Sequence, residues 1–207
     1  MHHPDASQRA RSDALVALLT PVVKAGFTDL GFESVVQAQQ VFGGHGYIRE
    51  SGMEQYVRDA RIAQLYEGTN GVQAMDLVGR KLALGGGTVV DGFLRTIAAD
   101  LAACGGETSD AVGAALALLA EATETLKTAE AEAAGGAAVE YLRLFTLVAI
   151  GWMWVRMAAV PGDTPQHRAK RALASFYAQR VLPQARGLAD AVKAGPASLF
   201  LLSAEAL

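Results

Sequence analysis

Apolar positions along this chain recur at helical spacing. Val22, Val23, Phe27, Leu30, Val35 and Val36 partly follow the helical period and predict a helix from Pro21 to about Phe42. Thr20-Pro21 before it has the form of an N-cap followed by proline at the first helical position. One or two helical turns over Asp13 to Leu19 come first. Gly26 and Gly31 interrupt the long helix, either as points of close packing or as weak spots. Met53, Val57 and Ala60 predict the inward face of a short helix that ends near Leu65. Ser51-Gly52-Met53-Glu54 reads as its capping box. Val72, Met75, Val78 and Leu82 predict the inner face of the next helix, capped by Thr69.

Beyond Gly85-Gly86-Gly87 the pattern is that of a helical bundle. Val90, Phe93, Leu94, Ile97 and Leu101 mark one helix; Val112, Leu116, Leu119 and Leu126 mark a second, broken at Gly135-Gly136. Val139 to Ala159 is apolar nearly all round and predicts a central helix. Ala169, Leu173, Phe176, Tyr177 and Val181 mark a fourth, started by Thr164-Pro165 and ended at Pro183. Leu188 to Leu207 reads as a short helix and tail. The fold class expected is all-α, as one or more helical bundles. The expected organisation is a disordered or tag-like start over 1–12, a first helical unit over 13–84, a flexible glycine break, and a second helical unit over 88–207.

Composition narrows the function. Half of the 207 residues are hydrophobic (51%) and few are aromatic, which favours packed helices. A net charge of −3 provides no basic field for nucleic acid. Cys104 is the single cysteine, so no intrachain disulfide forms, and a reducing compartment, the cytoplasm, fits. Met1 to Asp13 is polar and lacks the apolar core of a signal peptide. Leu144 to Val155, the most apolar run, is shorter than the roughly 20 residues that span a bilayer. His2 and His3 lack a third ligand nearby, so no metal site is expected.

Two glycine clusters frame the candidate chemistry. Gly43-Gly44-His45-Gly46 ends the long helix, either as a plain C-cap loop or as bare backbone that a ligand can approach closely. It is no dinucleotide fingerprint, since no strand precedes it and the glycine spacing differs. Gly68-Thr69-Asn70-Gly71 opens the helix after Tyr66-Glu67. Glu67 thus sits on a short turn between two helices, where spacing alone also allows a merely solvated carboxylate.

Three blocks in order carry a resemblance: Gln40-Val41-Phe42-Gly43-Gly44-His45-Gly46-Tyr47, Arg58-Asp59-Ala60-Arg61-Ile62 and Tyr66-Glu67-Gly68-Thr69. Together they resemble the C-terminal catalytic segment of flavin-dependent acyl-CoA dehydrogenases. The run Glu67 to Gln73, and Glu140 to Phe145 with Gly151-Trp152-Met153-Trp154 after it, look like the larger members that have an extra C-terminal helical domain, such as the 3-methylmercaptopropionyl-CoA dehydrogenases. The resemblance implies that Glu67 is the base for the α-proton of an acyl-CoA thioester. It places Gln40, Gly43, Gly44 and Thr69 on FAD-contacting positions, the first three usually toward the FAD of a neighbouring subunit. Tyr66 and Gly68 would line the acyl pocket, and Arg58-Asp59 would be a bracing ion pair. An apolar, water-excluding pocket makes a carboxylate more basic, so Glu67 is expected to be enclosed. Gly71 departs from the polar flavin contact of smaller members. The family's N-terminal helical domain and middle β-barrel have no counterpart in this sequence. The chain is therefore expected to be a fragment, or half of a split enzyme, inactive and without FAD on its own. In the complete enzyme the implied partners are acyl-CoA, an electron-transfer flavoprotein and further copies as a homo-oligomer. The alternative is a non-catalytic helical association module derived from the same family.

Overall fold

The computed structural model describes residues 4–202 and 206. All regular structure among them is helical, as expected. The His2-His3 pair lies outside the described residues.

The N-terminal stretch is more ordered than its polarity suggests. The Asp5 carboxylate accepts from Ser7 N at 2.8 Å and from Gln8 N at 3.4 Å, which caps α1 (Ala6–Pro21). Within the stretch 1–12, read as a loose start, the described residues are therefore helical from Ala6, because a competent N-cap precedes them. Thr20-Pro21 does not start a helix either. The Thr20 hydroxyl donates to Val16 O at 2.7 Å, and Pro21 stays inside the rod with helical dihedrals. A π turn, Val22–Gly26, follows at once and leads into α2 (Phe27–Val41).

After the glycine loop come the single-turn α3 (Gly44–Tyr47), α4 (Met53–Ile62) and α5 (Asn70–Asp76), which continues into a second π turn, Leu77–Lys81. The bundle then comprises α6 (Thr88–Cys104), α7 (Glu107–Thr128), α8 (Ala131–Gly136), α9 (Ala138–Ala158), α10 (Pro165–Phe176) with a third π turn, Tyr177–Val181, and α11 (Gln184–Lys193).

The apolar helix α9 is the hub. It packs against α5, α6, α7, α10 and α11, and Tyr141, Leu144, Phe145 and Val148 on it are fully buried. Its polar atoms are matched: the Tyr141 hydroxyl lies 2.8 Å from Thr123 Oγ1, and the Tyr177 hydroxyl donates to Leu147 O at 2.8 Å. Leu18, Val22 and Ala25 of the rod, and Ala74, Leu77 and Leu82, join the same core as the bundle. Gly26 touches Thr146 of α9 and is a point of close packing, whereas Gly31 faces open space. The two units thus share one core. Their join, Gly85 to Gly87, is a left-handed turn (φ 60°, 66° and 88°) with Gly87 buried, rather than a loose linker.

Two predicted faces hold in part. Val78 and Leu82 are buried as expected, but Val72 and Met75 are exposed, with Ala74 and Leu77 inside in their place; Tyr177 is buried as expected, but Leu173 and Phe176 are exposed, with Ala174 inside. In both helices a small alanine is fully buried on the inner face, which a pattern of large apolar residues overlooks. Two stretches, Ala6–Val41 and Ala138–Ala158, are long and apolar enough to cross a bilayer by length and composition; α9 is the second, and it is the centre of the bundle.

Candidate functional site

The sequence-predicted site residues fall into two groups at opposite ends of α2. At its C-terminal end, Gly43 takes φ 57° and ψ −146°, and its N–H donates to Gln40 O at 3.0 Å. Gly46 is buried and its N–H returns to Gly43 O at 3.0 Å. Gln40, Gly43 and Gly44 are all exposed, and no atom comes within 4 Å of a Cβ built on Gly43 or Gly44. The residue that holds the turn is Gln39, whose amide donates to Gly46 O at 3.0 Å. Sequence reasoning passed over it in favour of its neighbour.

The segment leading to Glu67 departs from expectation in its details. Gly52, left-handed at φ 73°, takes the N-cap position of α4, so Ser51 lies one residue too early for a capping box and accepts only from Met53 N at 3.4 Å. Arg58 and Asp59 do not pair. Adjacent helical residues project to different faces, and Asp59 accepts instead from Gln55 Nε2 at 2.6 Å. Arg61 is exposed, donates to Gln64 Oε1 at 2.8 Å and lies 5.8 Å over the Phe32 ring. An open groove of about 720 Å³ runs between α2 and α4, lined by Arg49, Arg58, Arg61 and Phe32 among others. None of the sequence-predicted site residues lines it.

At the N-terminal end of α2 stands the Tyr66–Thr69 turn. Glu67 has φ 54°, the single positive value for a non-glycine residue among the described residues, and Gly68 follows at φ 82°. Thr69 is the N-cap of α5, its hydroxyl accepting from Val72 N at 3.4 Å. Tyr66 is 55% exposed and Glu67 is exposed too. The enclosure expected for Glu67 is thus not provided by the described residues, which leave the turn exposed.

The turn is nevertheless fastened from beneath. Glu67 O accepts from Gln73 Nε2 at 3.0 Å, and Gly68 O accepts from Lys24 Nζ at 2.7 Å. Lys24 also donates to Asn70 Oδ1 at 2.7 Å. The Asn70 amide in turn donates to Asp29 Oδ1 at 2.6 Å and Thr28 Oγ1 at 3.0 Å, and Asp29 accepts from Gln64 Nε2 at 2.6 Å. These partners escaped the sequence reading. Asn70 is the one visible signal, as a side chain able to donate and accept at once beside a helix start.

Two family models match, one described as "Acyl-CoA dehydrogenase, C-terminal domain" over residues 4–82, the other as "Acetyl-CoA dehydrogenase C-terminal like" over residues 88–203. A 3-methylmercaptopropionyl-CoA dehydrogenase of Ruegeria pomeroyi is 35% identical over 87% of this chain and 33% of its own length. The broad-specificity linear acyl-CoA dehydrogenase FadE5 of Mycobacterium tuberculosis is 32% identical over 80% of this chain and 31% of its own. A butyryl-CoA dehydrogenase of Syntrophomonas wolfei is 27% identical over 98% of this chain and 36% of its own. The chain thus spans about a third of the length of these curated relatives. Matched in this way on both sides of its glycine join, and helical throughout its described residues, the chain belongs to the acyl-CoA dehydrogenase family.

Proposed function

We propose that this chain supplies the C-terminal catalytic segment of an FAD-dependent acyl-CoA dehydrogenase, with Glu67 as the base that removes the α-proton of an acyl thioester. The observation that carries the reading is the left-handed backbone of Glu67. For an L-residue that conformation costs roughly 1–2 kcal/mol. The side chain is exposed, so burial does not call for the strain, and we read it as serving the placement of the carboxylate. The Glu67 N–H finds no acceptor among the described residues. It is free to donate to the thioester oxygen as negative charge develops there.

The residues present fit a flavin from one side. Thr69 spends its oxygen lone pair on the α5 cap and keeps its O–H for a ligand. Gln40, Gly43 and Gly44 offer open backbone roughly 20 Å further along α2, by helical rise, which suits contact with the cofactor of a neighbouring copy. FAD, when bound, supplies the hydride acceptor for the β-carbon. Tyr66 and Gly68 contact the acyl chain. The remaining walls come from polypeptide beyond these 207 residues, so the isolated chain neither retains FAD nor turns over. An electron-transfer flavoprotein as oxidant, a homo-oligomer and a cytoplasmic location complete the reading.

The test uses flavin absorbance between about 350 and 500 nm. The chain alone, mixed with FAD and desalted, should emerge colourless. Placed after the preceding part of the Ruegeria pomeroyi relative, in lieu of the matched third, it should retain flavin that bleaches with acyl-CoA. Glu67→Gln should slow that bleaching by about 10²–10⁴-fold. Bleaching at an unchanged rate in Glu67→Gln would sink the assignment of the base, and flavin retained by the isolated chain would sink its incompleteness.

A further inference from the structure

We propose that Lys24 is a positioning residue for the Glu67 turn, acting through the Gly68 carbonyl. The catalytic part of this inference rests on the reading of Glu67 as base; the structural part does not. Glycine at φ 82° has many conformations open to it, so the peptide after Gly68 needs an external hold. Lys24 Nζ, 2.7 Å from Gly68 O, is the group that provides it. Gln73 does the same for the preceding carbonyl, and the two bonds together fix the peptides on either side of Gly68.

Lys24 is itself held in place. It sits in the π turn Val22–Gly26, and its second bond goes to Asn70 Oδ1 at 2.7 Å. The Asn70 amide bonds onward to Asp29 at 2.6 Å, so one side-chain amide bridges an ammonium and a carboxylate. Each bond in that relay polarises the next, and both of its ends are charged. Gln64, just past the end of α4, closes the ring through Asp29 and through its own carbonyl, which accepts from Asn70 N at 3.2 Å. Both flanks of the turn therefore rest on the part of the rod that carries Lys24 and Asp29. Losing the ammonium frees Gly68 O and one face of Asn70 together, while the bonds within α9 are untouched.

The primary measurement is amide hydrogen exchange by NMR on the 207-residue chain, which needs neither flavin nor substrate. In Lys24→Met, exchange at Asn70 should accelerate about 10- to 100-fold, and the backbone at 67–69 should lose order, with α9 amides unchanged. Lys24→Arg should restore part of the protection. Thr123→Val, which removes a buried bond in the distant bundle, should not single out this turn. Unchanged exchange at Asn70, or a uniform loss across the chain, would overturn the proposal. In the flavin-retaining fusion, Lys24→Met should slow bleaching with little change in the acyl-CoA concentration at half-maximal rate. An unchanged rate there would overturn the positioning role. If Glu67→Gln proves silent, the base assignment fails on its own, and hydrogen exchange still decides whether Lys24 holds the turn.

Discussion

Gly26→Ala would add one methyl group where the N-terminal rod crosses α9. A Cβ there would lie 2.4 Å from Thr146 Oγ1 and 2.5 Å from Thr146 Cγ2. Thr146 has little room to yield: it is 3% exposed, and its hydroxyl is engaged with Leu142 O at 2.8 Å. Overpacking of this kind costs about 1–3 kcal/mol. Against it stands the gain of alanine over glycine inside a helix, about 1 kcal/mol. Contacts this short place the clash toward the upper end, so the net loss should be about 2 kcal/mol. Thr146→Ala removes both clashing atoms and on its own should cost about 1 kcal/mol for the lost methyl. In that background one tight contact, to the Cβ of residue 146 at 3.0 Å, remains, so Gly26→Ala should become roughly neutral. Urea unfolding of the four chains measures the coupling, expected at about 1–3 kcal/mol. Single changes that add to within about 0.5 kcal/mol would refute the crossing at Gly26 and the shared core built on it.

Two further outcomes follow from buried phenols and close glycines. Burial pushes the Tyr141 and Tyr177 hydroxyls well above the ordinary phenol range. Their neutral forms then stabilise the fold fully below the unfolded-state value near 10, and that stability is lost as pH rises toward the folded-state values. Stability should therefore fall by up to about 3 kcal/mol more per pH unit above about pH 10 than in a chain lacking both hydroxyls, and Tyr141→Phe should remove about half of that slope, as alkaline urea titrations would show. Gly46→Ala would set a Cβ 2.4 Å from Gln39 O, a backbone atom, whereas Gly44 has open space around it. The first should cost about 1–3 kcal/mol and the second under about 0.5 kcal/mol; equal effects in urea unfolding would contradict the packing of the glycine loop.

Much of the helical plan is legible in apolar spacing, and α6, α7 and α9 fall close to where it puts them. The same dipeptide shows where local reading stops. Thr164-Pro165 follows a turn with Gly162 at φ 142°, and the Thr164 hydroxyl accepts from His167 N at 3.3 Å as an N-cap. Thr20-Pro21 follows about four turns of unbroken helix: α1 already runs into it from Ala6, so the Thr20 hydroxyl bonds backward instead. Alanine is the other blind spot. It is a core residue at Ala25, Ala74, Ala122, Ala138, Ala174 and Ala189, but it is so common here that its apolar character marks no face. Of the site, the Thr69 cap and the isolation of Glu67 on a turn are readable from neighbours in sequence. The ammonium that fastens the turn is not, since Lys24 meets Gly68 across 44 residues and no local pattern announces that contact.

The π turns at Val22–Gly26, Leu77–Lys81 and Tyr177–Val181 each accommodate one residue more than an α-helical turn would. Such a turn resembles an insertion absorbed without a loop. Deleting a single residue from Val22–Gly26 would let the rod relax to regular α geometry with both flanks facing as before, whereas deleting one from the regular helix between Leu18 and Val22 would rotate the two sides by about 100° against each other. Leu18 and Val22 could then not share a core with Ala25 while Asp29 still reached Asn70. The chain should accordingly accept many substitutions along this rod, and the loss of one residue at its π turn, yet resist a change in length within its regular helices.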